Sequence, residues 1–137
     1  MPAVDPVRTV QVKPGVRFSV IAPAGFRLLS AIEQASRKIG VTLTITSAVD
    51  GAHSGPDDPH HRGEAYDLRC HDLPEAVKHT VLATILAACS DDQIGPPHPV
   101  PGIQGGLASS KFFGFIEAAG TDNEHIHVQL RQGRSYP

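Results

Sequence analysis

KFFGFIEAAGTDNEHIHVQLR, residues 111–131, decides the fold. Lys111 to Glu117 and His125 to Arg131 read as two strands, rich in aromatic and β-branched residues. The polar run Gly120-Thr121-Asp122-Asn123 between them reads as a turn. Two strands this close in sequence predict a hairpin, and a hairpin is antiparallel. Upstream, Val41 to Ala48 (VTLTITSA) alternates and is β-branched, the clearest strand of the chain, and Glu64 to Arg69 (EAYDLR) alternates as well. Thr9 to Val12 and Val16 to Ile21 read as short strands about a Pro14-Gly15 turn.

Two segments carry helical spacing instead. From Phe26 to Ile39 the apolar positions are Leu28, Leu29, Ile32, Ala35 and Ile39, with Ala22-Pro23-Ala24-Gly25 as a break before them and Gly40 as a stop. After Asp72, a candidate cap with Pro74 in the first turn, Val77, Val81, Ile85 and Ala88 make a second stripe. Asp50 to Gly63 reads as a loop, and so does Ile94 to Ser110, with four Pro and four Gly. The resulting order β-β-α-β-β-α-β-β predicts an α+β domain. Its sheet is largely antiparallel, and its two main helices pack on one face.

At 137 residues the chain is expected to form one domain, residues 1–137. Twelve basic residues against 14 acidic ones, a formal net charge of -2, argue against a polyanion-binding surface. With aromatics at 5 % and no Trp, a base-stacking platform is unsupported, so no nucleic-acid partner is expected. No apolar run approaches the ~20 residues needed to span a bilayer. Met1 to Pro6 offers neither a basic nor an apolar leader region, so no signal peptide is visible. Cys70 and Cys89 flank a helix of about 16 residues whose ends lie over ~20 Å apart. A disulfide needs Cα atoms within roughly 7 Å, so both thiols are expected to be reduced.

Eight histidines are many for this length, and they concentrate in two places. One is His60-His61-Arg62-Gly63-Glu64-Ala65-Tyr66-Asp67. The other is Glu124-His125-Ile126-His127. On a strand, alternation puts His125 and His127 on one face, and Glu124 and Ile126 on the other. Asp67 lies among apolar residues, where an unpartnered carboxylate is costly, so it needs a cation or a metal. A catalytic zinc takes three nitrogen or oxygen ligands plus a water. His60, Asp67 and one histidine of the closing strand supply such a set. His61, His71, His79 and His98 fall in no motif.

The pattern His60-x-x-Gly63-x-Ala65-x-Asp67, followed by His125-x-His127, resembles the zinc D-Ala-D-Ala metallopeptidases. That family includes D-Ala-D-Ala carboxypeptidases and dipeptidases and phage endolysins of L-alanyl-D-glutamate type. It shares a core with lysostaphin-like enzymes and the hedgehog signalling domain. The resemblance spans Val41 to Leu130, with the Ile45-Thr46-Ser47 strand end and the His53-Ser54 loop as further points of likeness. It implies His60, Asp67 and His127 as zinc ligands, and His125 as a residue beside the metal. Glu124, three before His127, matches an acid that serves as general base in other members. A second register would make His125 the ligand and Asp122 the base. The base stays open between His125 and Glu124, with His127 favoured as ligand.

Two departures from the family bear on specificity. Asp58 stands where many members have Ser, and Ala48-Val49-Asp50 stands where many have an Arg that holds a substrate carboxylate. Arg62 and Arg69 are possible substitutes. The implied activity is metal-activated hydrolysis of a peptide bond in peptidoglycan stem peptides or cross-links, as a carboxypeptidase or an endopeptidase. Peptidoglycan peptides are then the partners and a monomer the expected state. Localisation stays open: the missing signal is compatible with cytoplasmic synthesis and action on the wall after phage-type release. The alternatives are a catalytically inactive zinc-bearing binding module of the same fold, and an α+β domain without metal.

Overall fold

A computed structural model describes residues 10–50, 58–89, 97–103 and 105–131. In chain order its elements are β1 (Val10–Val12), α1 (Pro23–Ile39), β2 (Leu43–Ser47), β3 (Ala65–Arg69), α2 (Glu75–Cys89), β4 (His98–Pro99), β5 (Leu107–Ala108), β6 (Phe112–Glu117) and β7 (His125–Leu130). The strands form one seven-stranded sheet in the order β1-β2-β3-β7-β6-β5-β4. β1 and β2 run parallel across the α1 crossover, and every other described pair is antiparallel. This is the expected α+β architecture with a mostly antiparallel sheet.

The core lies between the sheet and the two helices. Leu28, Ala31, Ile32 and Ala35 of α1 and Val81, Leu82, Ile85 and Leu86 of α2 are buried with Tyr66 and Leu68 of β3 and Ile126 and Val128 of β7. Burying each large aliphatic side chain contributes roughly 1.5–3 kcal/mol. Alternation sends Asp67, Arg69, His125, His127 and Gln129 to the opposite face of the same strands. The helices pack on the other face.

Four expectations are corrected. The Ile94 to Ser110 stretch is not all loop, because the short strands β4 and β5 within it pair onto the β6 edge of the sheet. Val16 to Ile21 is not a strand. Its backbone makes isolated bonds instead of a ladder: the Val49 N–H donates to the Arg17 carbonyl at 2.9 Å, and the Val16 N–H to the Lys13 carbonyl at 3.2 Å. α1 begins at Pro23 rather than Phe26, because proline suits the first turn, where its missing N–H has no partner to lose. α2 begins at Glu75, with the Pro74 carbonyl accepting from Lys78 N, so Pro74 and not Asp72 occupies the cap position. Gly40 ends α1 as expected, in the left-handed conformation at φ 81°. Cys70 and Cys89 are both buried free thiols. His53 and Ser54 lie outside the described residues.

Candidate metal centre

β3 and β7 are neighbours in the sheet, and their register pairs Asp67 directly with His127. Both side chains rise from the face away from the helices. His60 arrives from a tight turn just before β3. The Asp58 carboxylate accepts from the His60 N–H at 2.8 Å, and the Asp58 carbonyl accepts from His61 N. Asp58 thus organises the turn. The turn closes at Gly63, whose φ of 71° is a conformation L side chains rarely adopt.

The three side chains meet. His60 Nε2 lies 3.3 Å from His127 Nδ1 and 3.3 Å from Asp67 Oδ1, and His127 Nδ1 lies 2.9 Å from Asp67 Oδ1. The remaining nitrogen of each ring is already engaged. His60 Nδ1 is 3.0 Å from the Ala48 carbonyl, and His127 Nε2 is 2.7 Å from Gln129 Oε1. A carbonyl oxygen can only accept, so each of these nitrogens carries its proton and donates. That leaves His60 Nε2 and His127 Nδ1 as bare lone pairs facing a carboxylate oxygen.

Three acceptors in a triangle repel unless something positive sits among them. Zinc bonded tetrahedrally at 2.0–2.1 Å needs ligand atoms about 3.3 Å apart. Two of the observed edges match that spacing and the third, 2.9 Å, is shorter by a few tenths, so His60, Asp67 and His127 form the group able to hold a metal ion among the described residues. Without a metal, a proton fills the same role. Burial alone would push the His127 imidazole down, yet its bonds to Asp67 and Gln129 outweigh burial and raise its pKa. Burial would likewise raise Asp67, but hydrogen bonds from His127 and His60 hold that carboxyl well below the ordinary carboxylate range.

A β-bulge supports this arrangement. The β2–β3 register shifts between Ile45 and Ser47, and the strand then delivers the Ala48 carbonyl to His60. Bulges re-aim groups in this way beside functional sites. Phe115, the β6 partner of His127, stacks obliquely on its ring with centroids 5.1 Å apart, and Phe113 follows at 6.0 Å from Phe115. Together they wall one side of the site with apolar surface.

The other histidine and acid of the motif separate by face. His125 lies on the ligand face, with Nε2 2.8 Å from Glu117 Oε1 and 3.8 Å from Asp67 Oδ2, and Nδ1 2.8 Å from the Asn123 carbonyl. It adjoins the triad without joining it. Glu124 lies on the helix side, 4 % exposed, bonded to Lys78 Nζ, the Gly120 N–H and the Cys70 thiol. Asp122 is exposed in the hairpin turn. Arg62 pairs with Glu64, whereas Arg69 stands beside His125 across β3 and β7. His79 pairs with Glu75 on α2, and His98 is exposed on β4.

Two contributors went unread in the sequence. Gln129 continues the alternation His125, His127, Gln129, so its face was legible, but its task of holding a ring nitrogen was not. Glu117 pairs with His125 across the hairpin, and counting outward from the turn would have found it. Among the described residues, no helix is long and apolar enough to cross a membrane. Comparison with family models, with curated proteins and with solved structures returned no match in any of the three.

Proposed function

We propose that the chain is a zinc metallopeptidase that hydrolyses a peptide bond in peptidoglycan stem peptides or cross-links. The observation that carries this reading is the acceptor triangle of His60 Nε2, Asp67 Oδ1 and His127 Nδ1, with the outer nitrogen of each ring tied off. Its residues are those the zinc D-Ala-D-Ala peptidase motif names. A zinc ion held there supplies a water with its pKa lowered toward ~7 and a Lewis acid for the scissile carbonyl.

The chain's own residues do the rest. Ala48 and Gln129 fix the tautomers of His60 and His127, so both rings present lone pairs inward. Asp67 adds the one negative charge. His125 is the proton carrier: its ring is clamped by the Asn123 carbonyl and Glu117, and its Nε2 lies nearest the open side of Asp67. To act, its Nε2 releases Glu117 Oε1, takes a proton from the attacking water and passes that proton to the leaving amine. Glu124, committed to Lys78 behind the sheet, has no part in this scheme.

Two measurements test the reading. Metal analysis of the purified protein should find about one zinc per chain, as a three-ligand site requires. Digestion of purified peptidoglycan, followed by mass spectrometry of the released fragments, should show peptide products that vanish with chelator. Zinc without cleavage would favour the binding-module alternative, and absence of both would defeat the proposal.

A further inference from the structure

Phe113 and Phe115 stand on the side of the sheet that has no core. The β6–β7 register pairs Phe113 with Gln129 and Phe115 with His127, so both rings share the ligand face, away from the helices. The other large side chains that β3, β6 and β7 place there are polar: Asp67, Arg69, Glu117, His125, His127 and Gln129. The two phenyl rings lie 6.0 Å apart and 22° from parallel, and each is half-buried, so part of each meets solvent. Phe115 continues into the His127 ring at 5.1 Å.

The rings are held there by the core behind them. Gly114, between them, faces the helices. A Cβ on it would lie 2.6 Å from the His127 carbonyl oxygen and 2.7 Å from Leu82 Cδ1. A one-residue slip of β6 would exchange the two faces and drive a phenylalanine into that space. The strand therefore keeps two apolar rings at the rim of a polar site. Apolar surface in that position gains free energy when another apolar group covers it.

The direction of this surface from the triad is fixed by His125. Along β7, His125 lies on the hairpin side of His127 and Gln129 on the other side, and the register sets Phe113 beside Gln129. His125 and Phe113 thus flank the triad from opposite ends, each roughly 7 Å along the strand from it. His125 serves the leaving amine, so the amine half of a substrate lies at the hairpin end. The half that contributes the scissile carbonyl then extends toward Phe113.

We propose that Phe113 and Phe115 form a subsite for an apolar side chain, that of the residue whose carbonyl is attacked. The proposal rests on the metallopeptidase reading, which supplies the position of that carbonyl and the role of His125. An aliphatic side chain gains by covering the rings. A hydroxyl or charged group would lose water there and find no hydrogen-bond partner on them.

The test uses the full zinc-loaded chain and the N-acetyl hydroxamates of glycine, alanine, serine and leucine. The hydroxamate chelates the zinc where the scissile carbonyl would sit, so its side chain falls on the acyl half. Calorimetry reads binding without turnover, and zinc is measured in every sample. Leucine should bind about tenfold more tightly than glycine, the low end of what apolar contact gives in a pocket, because this surface is open on one side. Serine should bind no more tightly than alanine. Phe113→Thr should retain zinc yet lose most of the leucine preference, and Phe113→Tyr, which keeps the ring, should preserve it. A second readout needs no variant: ring currents should move the methyl resonances of the bound leucine compound upfield. Equal affinity for leucine and glycine, a preference that survives Phe113→Thr, or unshifted methyl resonances would each overturn the subsite and leave the metal centre standing. A chain that holds no zinc would overturn the metallopeptidase reading and the subsite with it.

Discussion

Glu124 Oε1 and Lys78 Nζ lie 2.5 Å apart beneath the sheet, on the side away from His125 and His127. The pair fastens the hairpin turn to α2, because the same carboxylate also accepts from the Gly120 N–H at 3.1 Å. Its hydrogen bond to Lys78, against the opposing effect of burial, holds the Glu124 carboxyl below the usual range, and the Lys78 ammonium is raised in turn.

The sign of the pH effect follows from that direction. A carboxyl lowered in the folded state contributes stability that is full above its unfolded pKa of about 4.3. That contribution is lost as pH falls through the lower folded value. Glu124→Gln should therefore unfold at a lower temperature than the wild type at pH 7, with the gap closing as the solution is acidified below about pH 4. Zinc content should not change. Thermal melts across a pH series check this, and a gap that stays constant into strong acid would remove the pair as a stabilising element.

His60→Ala, Asp67→Ala and His127→Ala should each lose the bound metal, and with it the stabilisation that metal gives. At free zinc a hundredfold above Kd that stabilisation is about 2.7 kcal/mol. Gln129→Leu should weaken zinc binding about 10–100-fold while leaving the ligands in place, because the outer nitrogen of His127 loses its acceptor. Competition titration against a zinc-binding dye measures both effects. Retention of tight zinc by the Asp67 variant would show that the triangle is not the metal site.

His125→Ala should keep zinc and the thermal midpoint but lose turnover by roughly 10²–10⁴-fold, the span typical of general acid–base groups. Glu117→Gln should cost less, since the ring keeps its bond to the Asn123 carbonyl. Steady-state rates on a soluble peptide fragment, paired with metal analysis, separate the roles. Loss of zinc from His125→Ala would make His125 a ligand and restore the register in which Asp122 is the base.

Gly63 positions His60 through the backbone. A Cβ built on it would lie 2.5 Å from the Val20 carbonyl oxygen, and its own carbonyl lies where a Cβ on Gly25 would be, 2.1 Å away. Gly63→Ala adds this clash to a left-handed conformation that costs an L residue about 1–2 kcal/mol. Denaturant unfolding should show at least that loss, and zinc affinity should fall with it. An unchanged midpoint together with unchanged affinity would free the turn from any part in building the site.

How far the sequence was readable varies by feature. β2 and β3 fell where alternation put them, because side-chain period follows directly from strand geometry, and β6 and β7 fell where aromatic and β-branched content put them. α1 was legible from its apolar stripe and its glycine stop, apart from its first three residues. Val16 to Ile21 misled because its apolar content serves packing, with Phe18 5.9 Å from the Tyr66 ring, and not a ladder.

The sequence by itself determined which residue types were available to grip a metal and which strand face each would occupy, since both are local properties of the chain. Only the tertiary structure decided that His60, Asp67 and His127 converge. That outcome depends on β3 lying beside β7 in one register and on a bulge in β2 presenting a carbonyl to His60. It also decided that Glu124 is consumed behind the sheet, because its partner Lys78 is on a helix that local patterning cannot orient. Contacts between residues sixty positions apart are set by how layers pack, and that information is not local.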